Sequence, residues 1–183
     1  ESLLGDGAVA SSFAEGAGFA RVGVEDSLTG DRASAREAFS GCARLSELSF
    51  LRSATGEGCD MSRAFSGCGT DGSLTSAAYR MEASGTGGGS WEALFEGSLS
   101  GEGLETAVLS VAGGGAGAAP SSMAGAFSGM ARLTGADLSG LPAACRDVSR
   151  AFAGMSAAAA VDVAVSMGGA GVAAGAVKLP QGW

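Results

Sequence analysis

The chain has 183 residues, enough for one domain with a sizeable core. A net charge of −8 speaks against nucleic acid and against an anionic membrane surface, because both need a clustered excess of Lys and Arg. There is no His, which removes the commonest general base and the commonest metal ligand from the available chemistry.

Six phenylalanines punctuate the chain at intervals of 25 to 32 residues: Phe13, Phe39, Phe65, Phe95, Phe127 and Phe152. The segments around them read alike: "REAFSGC", "SRAFSGC", "AGAFSGM" and "SRAFAGM" are four of the six. Counting from each Phe, the residue four before is apolar (Val9, Ala35, Met61, Trp91, Met123, Val148). The residue one before is mostly Ala, and Gly follows two after in five copies, from Gly41 to Gly154. Apolar residues four apart with Ala between them predict a single helical turn with its face inward. The Gly suits the end of that turn, where a left-handed backbone is cheap only for Gly.

Downstream of each anchor, apolar residues at +6, +9 and +11 end in strict alternation and predict a short strand with +9 and +11 facing in. In chain order the inward pairs are Val22 and Val24, Leu48 and Phe50, Ala77 and Tyr79, Ala107 and Leu109, Ala136 and Leu138, and Val161 and Val163. The third and fourth copies fit this frame with three-residue insertions in the Gly-rich "GTDGS" and "SGEG". One turn and one strand cannot bury their own apolar face, whereas stacked copies can, with parallel strands about 4.8 Å apart. The expected fold is therefore an α/β repeat. It is a short leucine-rich-repeat-like solenoid of about six coils, with a parallel sheet on one face and short helical turns on the other. It fills residues 1–183 as a single repeat domain, and 164–183 form a tail or degenerate cap.

The segments "MSRAFSGC" (61–68), "AFSGCARLSELSF" (38–50) and "MAGAFSGMARLTGADL" (123–138) resemble the BspA-type leucine-rich repeats. In that family a unit reads roughly Met-x-x-(Met/Ala)-Phe-x-Gly-Cys-x-x-Leu-x-x-Leu-x-Leu. The resemblance covers about residues 9–163. It implies a curved solenoid of the kind used by bacterial and protist surface proteins for adhesion or protein binding. Fold transfers along such a resemblance more safely than role.

Few residues carry chemistry. Cys42 and Cys68 share position +3 in adjacent copies, where Met130 and Met155 stand later, so packing explains them best. A disulfide between them requires Cα atoms within roughly 7 Å. No base accompanies Cys42, Cys59, Cys68 or Cys145, and no zinc spacing is present. The Gly-rich stretches 85–90 and 112–120 lack the Gly-Lys-Ser/Thr of a phosphate loop and read as connections between coils. The apolar tract 157–177 has the length of a membrane span, but Asp162 and four Gly interrupt it, and no membrane insertion is expected.

The outward side of the strands is the candidate protein-binding face, with Arg21, Glu25, Glu47, Arg80, Asp137 and Asp162 as its charged residues. A solvated face without a ligand fits the same residues, since no Trp, Tyr or Arg cluster marks an anchor. Asp137 and Asp162 fall in one column, but no further oxygen ligands accompany them as a cation site would need. No cofactor, metal or catalytic constellation is expected. The expected role is a non-enzymatic interaction or adhesion module of a secreted or cell-surface protein with a protein partner. The alternative is a structural subunit or scaffold within a larger assembly, organellar or otherwise assembly-bound. The chain starts at Glu1 without a visible leader, which reads as a mature form or a fragment of something longer.

Overall fold

The computed structural model describes residues 18–28, 30–53, 56–82, 89–112, 120–137, 147 and 149–155. Five strands stand in chain order in one sheet: β1 (Arg21–Glu25), β2 (Glu47–Leu51), β3 (Ser76–Glu82), β4 (Thr106–Ala112) and β5 (Gly135–Asp137). Every neighbouring pair is parallel. The chain is a parallel β-sheet solenoid.

The anchors form the column that their spacing predicts. Phe39, Phe65, Phe95, Phe127 and Phe152 stack ring on ring, with centroids 5.4 to 6.0 Å apart and planes within 18°. Offset stacking of this kind adds about 0.5–1.5 kcal/mol per pair beyond area burial. Phe13, and with it the first rung of the column, lies outside the described residues, as do Val9, Cys145, Val148 and the tail. The inward strand residues complete the core: Leu48, Phe50, Ala77, Tyr79, Ala107 and Leu109 are all buried. Phe50 meets the edge of the Phe65 ring, and Tyr79 tilts against Phe95.

The segment around each described anchor Phe is turn and not helix, and no helix occurs among the described residues. It is a run of overlapping β-turns whose hydrogen bonds alternate in direction. The N–H groups of Glu37, Phe39 and Gly41 donate to the carbonyls of Ser62, Ala64 and Ser66 in the next coil, at 2.8 to 3.0 Å. The N–H groups between them, on Ala38, Ser40 and Cys42, close turns on Ala35, Glu37 and Phe39 of their own coil. Phe65, Phe95 and Phe127 repeat the coil-to-coil bond, each with the flanking pair. A continued α-helix would turn each donor past its first turn onto its own coil, whereas here every second donor joins coil to coil. The alternation needs a left-handed residue two before each Phe: Glu37, Arg63, Ala93, Gly125 and Arg150 have φ between 53° and 65°.

The strand register differs from the expected frame in two places. Leu48 faces Tyr79 and Phe50 faces Met81, so Ala77 is not the partner of Leu48. Leu109 likewise faces Ala136. The other pairings, Val22 with Leu48 and Ala77 with Ala107, follow the expectation. β3 and β4 are seven residues long and each sends a third side chain inward, Met81 and Val111, both buried. That extra inward residue is what the two-residue slide accommodates.

Candidate protein-binding face

Alternation along the strands turns Arg21, Glu25, Glu47, Ala78, Arg80 and Val108 outward, where all six are exposed. The observed register then decides who stands beside whom. One row across the sheet runs Gly23, Ser49, Arg80, Ser110, Asp137. The next runs Arg21, Glu47, Ala78, Val108, Gly135. Arg80 thus stands between two serine hydroxyls instead of in the column of Glu25 and Leu51. Asp137 belongs to the same row as Arg80, two strands away. Asp162, the sixth expected charge, lies outside the described residues.

The β1–β2 side of the face is internally paired. Arg21 meets Glu47 at 3.0 Å across adjacent strands. The Arg52 guanidinium grips Asp26 at 2.8 Å and also reaches Glu25. The hydrogen bond from Arg52 holds the Asp26 carboxyl below its usual range and raises the guanidinium in turn. Arg80, by contrast, forms no ion pair with another described residue. The middle of the sheet therefore presents one guanidinium on a floor of Ser, Ala and Val, and Val108 is 40% exposed.

The corners are built by residues that the sequence reading passed over. Five before each Phe stands Ser34, Asp60, Ser90, Ser122 or Asp147, and these five form a ladder of single bridges from coil to coil. Each side chain accepts the N–H two residues on, at 2.9 to 3.3 Å. That closure starts the turn run in every coil. The Ser/Asp column is visible in the sequence at −5, but it lies outside the apolar periodicity that marks the coils.

Position +3 is a second polar device. The Cys68 thiol donates to the Phe39 carbonyl at 3.1 Å. In the next coil Ser98 takes the place of Cys and donates to the Phe65 carbonyl at 2.5 Å, while accepting the Cys68 N–H at 3.1 Å. Cys42, Cys59 and Cys68 are buried free thiols. Burial pushes Cys68 up to about 12 and raises Cys42 and Cys59 as well, which suits packing and not nucleophilic attack. Tyr79, raised by the same desolvation, donates its hydroxyl to the Leu45 carbonyl at 2.9 Å.

Among the described residues, no group of three or more Cys, Asp or Glu is placed to hold a metal ion. No helix there is long and apolar enough to cross a membrane, and the tract 157–177 is outside those residues. No protein-family model, curated protein or solved structure matches the chain.

Proposed function

We propose that the chain is a non-enzymatic protein-interaction module that binds its partner on the outward face of the parallel sheet, over β3 and β4. The observation that carries this reading is Arg80. It is an exposed guanidinium with no carboxylate partner among the described residues, set between Ser49 and Ser110 and beside the exposed Ala78 and Val108. Arg next to a small apolar floor is the composition that interface centres favour. The resemblance to BspA-type repeats supports the same reading and with it a secreted or cell-surface location. The full body would comprise six coils, with Phe13 supplying the first ring and Val161 and Val163 the last inward pair.

The test compares three immobilised proteins for what they retain from surface and secreted fractions of the source organism: the native chain, R80E/V108D, and R36E on the turn side. Partners held by the native chain and by R36E but lost with R80E/V108D are the expected result. Equal retention by all three would rule out the sheet face.

A scaffold role within a larger assembly is the second reading. It is favoured by β1, an edge strand among the described residues, whose Val22 and Val24 are only half-buried and which Phe19 precedes at 41% exposure. Such an edge suits a packed neighbour.

A further inference from the structure

Cys42 and Cys68 occupy the same turn position in neighbouring coils, and both are fully enclosed free thiols. The Cys68 sulfur lies 3.1 Å from the Phe39 carbonyl oxygen. The Cys42 N–H closes its own turn on that same oxygen, at 3.4 Å. Cys68 therefore points back across the coil boundary into the turn that Cys42 ends. Backbone bonds clamp the pair on both sides: Gly41 N–H to Ser66 at 2.8 Å, and Gly69 N–H to Cys42 at 3.2 Å. Coils joined by backbone bonds of this kind stand about 4.8 Å apart, and a disulfide needs Cα atoms roughly 4.4–6.8 Å apart.

We propose that Cys42 and Cys68 are a dithiol–disulfide pair that staples adjacent coils when the chain folds in an oxidising medium. The oxidant is a low-molecular-weight disulfide. One cysteine thiolate attacks it, forms a mixed disulfide and releases one small thiol. The second cysteine then attacks the mixed disulfide, so that the Cys42–Cys68 bond forms and the second small thiol leaves. Two cysteines lose two protons and two electrons, and the oxidant gains both as two thiols. The enclosed thiols react slowly once the coils have closed, so the bond forms while they assemble. Cys59 does not compete, because its sulfur faces the carbonyls of Gly30 and Leu28 at 3.6 and 4.0 Å at another corner.

The whole chain, reduced and unfolded, is refolded in parallel in a glutathione redox mixture and in dithiothreitol. The expected product of the first is lighter by about 2 Da, yields a linked peptide pair containing Cys42 and Cys68, and melts roughly 7–14 °C higher than the second. C68S serves as the control. Ser98 already fills the equivalent place and makes the equivalent bond to the preceding Phe carbonyl, so the variant keeps the fold. It must lose both the linked peptide and the rise in melting temperature. Cys42 and Cys68 that remain alkylatable after oxidative refolding, or that pair with Cys59 or Cys145 instead, would overturn the proposal.

Discussion

At Gly69 the backbone has φ +65°, and an added Cβ would sit 2.7 Å from the Tyr79 hydroxyl and 3.1 Å from the Leu45 carbonyl. Those two groups are hydrogen-bonded to each other, so neither has room to give way. Gly97 also has positive φ, at +70°, but open space surrounds its would-be Cβ. The pair separates two costs that usually travel together. Gly97→Ala should lose about 1–2 kcal/mol, the strain of a left-handed Ala alone. Gly69→Ala should lose roughly 3 kcal/mol or more, since it also displaces a buried hydrogen bond. Urea denaturation of both variants measures the difference, and equal losses would mean that the Tyr79 site yields freely.

The turn segments of Phe65, Phe95 and Phe127 are each held by a ring above, a ring below and a polar corner. Phe95 stacks between Phe65 and Phe127 and touches Tyr79, so its neighbours are too constrained to fill a hole. Phe95→Ala should cost about 3–5 kcal/mol, read from the denaturation midpoint. The corner carboxylates give a pH signature. The Ser149 N–H holds Asp147 below 3.8, and the Ser73 N–H does the same for Asp71 in the connection leading to β3. A carboxyl depressed in the folded chain contributes its full stability above its unfolded value. That contribution is lost as pH falls below 3.8 through the lowered folded values. Melting temperatures should therefore fall as the pH drops below about 4, and S149P, which removes the Asp147 donor, should flatten that slope.

The same elements show what a sequence can disclose. The Phe column was legible because six anchors recur at nearly constant spacing, and inward against outward was legible because strands alternate. The slide of β3 against β2 was not. It moves the pairing by two residues, which keeps every side chain on its own face and leaves the hydrophobic pattern unchanged. Arg80 was thus placed on the correct face but beside the wrong neighbours. The turn run was misread as helical because four of its five left-handed positions hold Glu37, Arg63, Ala93 and Arg150, and only Gly125 announces the backbone it adopts.

In the whole molecule, a single arrangement repeats along one axis: a sheet face, a ladder of corner bridges and a turn face, each joined coil to coil by backbone bonds. Among the described strands each contacts only its neighbours, so stability sums from neighbour to neighbour. Core substitutions should therefore act most strongly on the amide-exchange protection of their own coil and the two beside it. A uniform loss of protection across all five strands would show the stack to be one indivisible unit.

The alternating turn bonds also make the body mechanically directional. Nearly every link between one coil and the next lies parallel to the stack, so a load drawn along that line meets them a few at a time and peels the rungs off in sequence. A load along the strands meets many of them in shear together. Tethers placed first at Arg36 and Arg150, and then at Arg21 and Leu51 at opposite ends of the paired β1 and β2, should give a low sawtooth in the first geometry and a single high rupture in the second. A protein tugged by its surroundings would then yield or hold according to the side on which it is gripped.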